Sequence, residues 1–279
     1  MNKGQVIKFS DLQIGDFFSD NERQRYRKIP EYTLDFELPN FQAMAINAFH
    51  IQTNAVASVN PDDEFIFIAH SIWNPDEHRD QFQFSTEKLE LEHQIEFFTN
   101  YFEILKVSLS GVETFDDFFD PDESFSSVEV DGFINLMRSS FFISLYSYLE
   151  AQLNKECQLS QQDNPQIKIL LKDINGNGID RAKTYLVKVL DTSFPFDKDS
   201  AWETIRWFGK IRNCIVHAEG KVTEPNLKKY IENHPNLHCE MIFGDDIVVL
   251  DEGFCEKAIA VVGAFLQSLL YHRQADKVG

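Results

Sequence analysis

Short apolar runs punctuated by turn residues fill the first eighty residues, and longer runs with helical spacing follow them. Val6-Ile7-Lys8-Phe9, Gly15-Asp16-Phe17-Phe18, Tyr26-Arg27-Lys28-Ile29, Asn54 through Val59 and Phe65-Ile66-Phe67-Ile68 have the β-branched and aromatic content of strands. Their number predicts a small β-barrel or half-open sheet over residues 1–80. Residues 86–108 then place Leu89, Ile95, Phe98, Phe102 and Leu105 toward a core, predicting a connector or first bundle helix. Gly111 through Glu123 mixes acid with aromatics: Pro121 and the charge argue for a loop, while the phenylalanines argue that it docks. Helical spacing resumes from Phe133 through Glu150 and continues past residue 200. The fold class this predicts is α+β, in three parts: a β-rich module at 1–80, a helical connector and acidic aromatic loop at 81–130, and a helical domain at 131–279.

The helix around residues 205–217 carries the chemistry. At about 100° per residue, Arg206, Lys210, Asn213 and His217 share one stripe, and Ile205, Phe208, Ile215 and Val216 define the apolar side. Arg212 falls with the apolar set, where a guanidinium must find an acidic partner, reach an interface, or bear a desolvation penalty. Histidine moves protons near neutral pH, and arginine binds phosphate or carboxylate bidentately, so the two suffice to handle a phosphodiester without a metal. The same residues also suit C-terminal capping, with cations against the negative end of the helix dipole and Gly220 beyond.

Other motifs dissolve on inspection. Asp173-x-Asn175-x-Asn177-Gly178 opens like a calcium loop, but its twelfth position is Thr184 where a bidentate Glu is needed, so it reads as a turn before a helix. His234 and His238 beside Cys239 have ligand-like spacing, yet Pro235 breaks the helix that would align them. Residues 239–243 and 247–250 flank Gly244-Asp245-Asp246, a hairpin. Walker A, GxSxG and HExxH patterns are absent from the sequence. Cys157, Cys214, Cys239 and Cys255 form no CxxC pair, which suits reduced, buried thiols. The cluster Arg23, Arg25, Arg27 and Lys28 reads as a solvated turn sooner than a binding patch.

A chain of 279 residues with 43% hydrophobic content supports one large or two modest cores. Its apolar runs fall short of the roughly 20 residues that span a bilayer, and its start lacks a signal-peptide core, so a soluble cytoplasmic protein with no membrane partner is expected. A net charge of −19 argues against general nucleic-acid affinity. The distribution softens that objection. Residues 1–127 hold 9 Lys+Arg against 24 Asp+Glu, whereas residues 201–230 hold 6 against 3. The segregated field either admits a selected RNA into a cleft or reflects a solubilising acidic surface.

Arg212-x4-His217, with polar Asn213 after the Arg and Ala218 and Gly220 after the His, resembles the HEPN family of all-helical domains in prokaryotic defence, toxin and RNA-processing proteins. Leu145-Tyr146-Ser147-Tyr148-Leu149-Glu150 resembles that family's opening helix, and the likeness covers about residues 130–276. It implies a metal-independent, cofactor-free endoribonuclease acting on RNA, with a composite site in a homodimer. In that reading Arg212, His217 and Asn213 are catalytic, Lys210, Arg206 and Lys221 bind substrate, and Glu150 is a candidate partner for Arg212. A regulatory protein or antitoxin is a further expected partner. The alternative is an inactive HEPN-like dimerisation or binding module serving as antitoxin, sensor or assembly subunit.

Overall fold

The computed structural model describes residues 3–14, 16–34, 44–50, 55–69, 79–113, 127–194 and 196–278. The protein is α+β, as its hydrophobic pattern predicts. It divides into two compact units, Met1–Glu92 and His93–Gly279, a boundary that falls inside a helix. The acidic aromatic loop lies outside the described residues from 114 onward.

The first unit is an antiparallel sheet of β1 (Val6–Lys8), β2 (Phe17–Ser19), β3 (Arg25–Leu34), β4 (Met44–His50), β5 (Ala55–Ala57) and β6 (Glu64–Ala69). Their order is β1-β6-β2-β3-β4-β5, an open sheet with β1 and β5 at its edges. Alternation buries Phe65 and Phe67 of β6 while Glu64 and Ile66 stay exposed. Phe18, fully buried, stacks on Tyr26 at 5.3 Å and meets Phe65 edge-on at 4.8 Å. The register between β3 and β4 shifts between Lys28 and Tyr32, where Pro30 offers no backbone donor to the ladder.

The basic cluster of residues 23–28 is dispersed by this sheet. Arg27 is buried at 4% exposure with its guanidinium 5.0 Å from the Phe17 ring centre. Lys28 Nζ donates to the carbonyls of Phe9 and Leu12, each at 2.8 Å. Both cations are built into the fold, so the solvated turn expected there is confined to the neighbourhood of Arg23, which has a positive φ of 64°.

Helix α1 (Arg79–Glu113) runs across the boundary into the second unit, which adds α2 (Ser127–Asp163), α3 (Gly178–Lys188), α4 (Ser200–Ala218), α5 (Pro225–Glu232), a hairpin of β7 (Leu237–Ile242) and β8 (Asp245–Leu250), and α6 (Glu252–Val278). Phe142 of α2 meets Phe208 of α4 at 5.6 Å and Phe254 of α6 at 5.1 Å, so three helices share one aromatic knot. Asn135 fastens the hairpin to α2: its Nδ2 donates to Val248 O at 3.1 Å and its Oδ1 accepts from Leu250 N at 3.0 Å. The hairpin turns at Phe243 and Gly244, both at positive φ, 50° and 88°. Within α6, Glu252–Ala275 is long and apolar enough to cross a membrane by length and composition, and 56% of its most apolar window is buried in the fold. Its apolar residues are spent on the core, where Phe265 packs on Trp202 at 5.5 Å.

Candidate functional site

Helix α4 is anchored at both ends. Asp199 caps its start, Oδ1 accepting from Ala201 N at 2.8 Å and Trp202 N at 3.2 Å. Its end is set by two consecutive left-handed residues, Glu219 at φ 55° and Gly220 at φ 80°. A β-carbon on Gly220 would press to 3.3 Å from Ile247, and Gly220 O accepts from Val248 N at 2.9 Å. Trp202, Ile205, Phe208 and Ile211 are buried. The opposite side of the helix is left facing a cavity of about 800 Å³.

Arg206, Lys210, Arg212, Asn213 and His217 all line that cavity. Arg212 is half-buried, and its guanidinium reaches out of the apolar side. Its Nη1 donates to Asn213 Oδ1 at 3.0 Å and lies 3.4 Å from His217 Nε2, while its buried Nε has no hydrogen-bond partner among the described residues. Arginine has no acceptor atom, so this second contact needs a neutral imidazole with the Nε2 lone pair free. Val216, assigned to the apolar side, is 43% exposed.

Two assignments need revision. Lys221 does not line the cavity: the reversal at 219–220 sets it beside β8, where it pairs with Asp245 at 3.0 Å. Glu150 lines the cavity but makes no ion pair with Arg212 among the described residues. Its carboxylate lies against the first residue of α3, with Oε1 2.5 Å from where a Gly178 β-carbon would stand, so the positive end of that helix supplies its electrostatic support. The locally basic field is also diluted, since Glu150, Asp180 and Glu203 line the same space as Arg206, Lys210 and Arg212. Lys210 is engaged further, paired with Glu224 and 4.8 Å from the Trp207 ring centre.

Tyr146, Trp207 and Gly209 were invisible as site residues in the sequence. Tyr146 entered the sequence reading only as part of the opening-helix resemblance, Leu145 to Glu150. Trp207 stacks on Tyr230 at 4.4 Å with planes 8° apart, giving the cavity an aromatic wall. Burial, with Glu150 and Asp180 adding to it and Arg212 opposing, pushes the Tyr146 phenol well above its usual range, so its hydroxyl remains a donor at neutral pH. Elsewhere, His234 packs on Phe254 at 5.6 Å and its Nδ1 accepts from Asn236 N, in the turn expected ahead of β7.

The site is thus a cleft between helices of an α+β protein, lined by an Arg–His pair and by carboxylates. Comparison with known protein families, curated proteins and solved structures gave no match.

Proposed function

We propose that the protein is a metal-independent endoribonuclease of the HEPN type. The observation that carries this reading is the triad of Arg212, Asn213 and His217 at the cavity, with one guanidinium nitrogen 3.0 Å from Asn213 Oδ1 and 3.4 Å from His217 Nε2. Helix capping alone does not require a half-buried guanidinium to bridge these two side chains. A phosphodiester entering the cleft would compete for the Arg212 donors and release the Nε2 lone pair of His217.

In the reaction, the ribose 2′-hydroxyl attacks the adjacent phosphorus, leaving a 2′,3′-cyclic phosphate and a free 5′-hydroxyl. His217 takes the proton from the 2′-oxygen or delivers one to the departing 5′-oxygen, and a second histidine from a symmetry-related subunit supplies the other half. Arg212 stabilises charge developing on the phosphate, and Asn213 orients the guanidinium. Arg206 and Lys210 draw the backbone toward the cavity. A role in prokaryotic defence or as a toxin, restrained by a partner protein, follows from the family resemblance.

The decisive assay incubates wild type, Arg212→Ala and His217→Ala with structured RNA in excess chelator. Cleavage by the wild type alone, yielding cyclic-phosphate ends, is expected. A wild type that leaves RNA intact, or variants that cut equally well, would return the protein to the class of inactive binding modules. Elution as a strict monomer would remove the shared site.

A further inference from the structure

The hydroxyl of Tyr146 belongs to a residue that lines the cavity. The residue is 4% exposed and makes no hydrogen bond among the described residues. The ring is buried but its oxygen is open to the cavity, where a ligand can reach it. The chain also makes room for this oxygen: Gly209 stands opposite it in the middle of α4, and a β-carbon there would lie 2.7 Å from Tyr146 Oη. Glycine inside a helix is destabilising relative to alanine, so the position favours the phenol's placement over the helix's own stability.

The surroundings select what the hydroxyl can meet. Glu150 and Asp180 act on Tyr146 electrostatically in one sense and Arg212 in the opposite one. A phosphate oxygen beside the two carboxylates would be repelled. A ribose hydroxyl is neutral; it accepts from Tyr146 Oη and donates to a carboxylate such as Glu150. We propose that Tyr146 is a substrate-contacting residue that recognises a ribose 2′-hydroxyl, and so discriminates RNA from DNA where Glu150 and Asp180 line the cleft. This rests on the reading of the cleft as an RNA site.

The test measures binding of one short single-stranded RNA and of DNA of the same sequence, in a His217→Ala background so that neither is cut. Tyr146→Phe removes only the hydroxyl, and it is expected to weaken RNA binding roughly tenfold while leaving DNA binding unchanged. Gly209→Ala, which displaces the phenol without deleting its oxygen, is expected to reproduce the loss, and to add nothing once Tyr146 is Phe. Equal losses on RNA and DNA, no loss in Tyr146→Phe, or no measurable RNA binding by the parent overturns the proposal. Cleavage is scored separately. A protein that loses RNA selectivity in Tyr146→Phe but never cuts RNA keeps this contact and forfeits the nuclease; one that cuts RNA with Tyr146→Phe indistinguishable from wild type does the reverse.

Discussion

Tyr146 and Gly209 meet across α2 and α4 so closely that a β-carbon on Gly209 would stand 2.7 Å from the phenol oxygen and 3.5 Å from the ring carbon bearing it. The contact is too short only because of the hydroxyl. Gly209→Ala is therefore expected to destabilise the wild-type protein, despite the roughly 1 kcal/mol by which alanine outranks glycine in a helix interior. In a Tyr146→Phe background the same substitution meets only the ring carbon at an ordinary distance and should stabilise by about that 1 kcal/mol. Denaturant unfolding of the four proteins checks the change of sign.

Arg212 serves Asn213 and His217 from a single guanidinium nitrogen, with its Nε directed inward. Lysine keeps the charge but loses the planar fork. If the cleft cuts RNA, Arg212→Lys should lower kcat about 10²- to 10³-fold, with a much smaller change in KM. Single-turnover cleavage measures it; retention of full activity would mean that charge alone is required.

Stability should fall on mild acidification. Burial, reinforced by the Lys257 charge, lowers the pKa of His234, so the unfolded chain binds a proton there before the folded chain does. The stabilisation from neutral His234 is present above the ordinary histidine value of about 6.5 and is lost as pH falls through the lowered folded value. Unfolding midpoints between about pH 7.5 and about pH 5.5 should decline, and His234→Gln should flatten part of that decline.

The thiols should be inert in the folded protein. Burial pushes Cys157 and Cys255 up to about 12 and Cys214 to about 11, while Cys239 is raised but only half-buried. Alkylation at about pH 8 should label Cys239 slowly and the other three only after unfolding. Rapid native labelling of Cys214, whose Sγ donates to Lys221 O at 3.2 Å, would mean that the end of α4 opens.

Much of the architecture was legible because burial repeats along the chain. The hairpin was legible from Gly244-Asp245-Asp246 between the runs 239–243 and 247–250, and β7 and β8 lie where those runs are. Strand β4 was missed because Met44-Ala45-Ile46-Asn47-Ala48 carries little β-propensity, and pairing with β3 overrides that local preference. The helix boundaries were drawn short: α2 extends to Asp163, since its polar last turns are held by contacts such as the Arg273–Glu156 ion pair at 2.8 Å.

For the site, helical geometry alone put Arg206, Lys210, Asn213 and His217 on one stripe, and all four line the cavity, because residues three and four apart on a helix are neighbours whatever surrounds them. That much the amino-acid order determined. Whether Arg212 would be neutralised or reach outward, where Glu150 would point, which way Lys221 would turn after two left-handed residues, and that Tyr146 would face Gly209 were decided only by tertiary structure. Each depends on which atoms of distant segments come within a few ångströms, and no periodicity along the chain carries that distance.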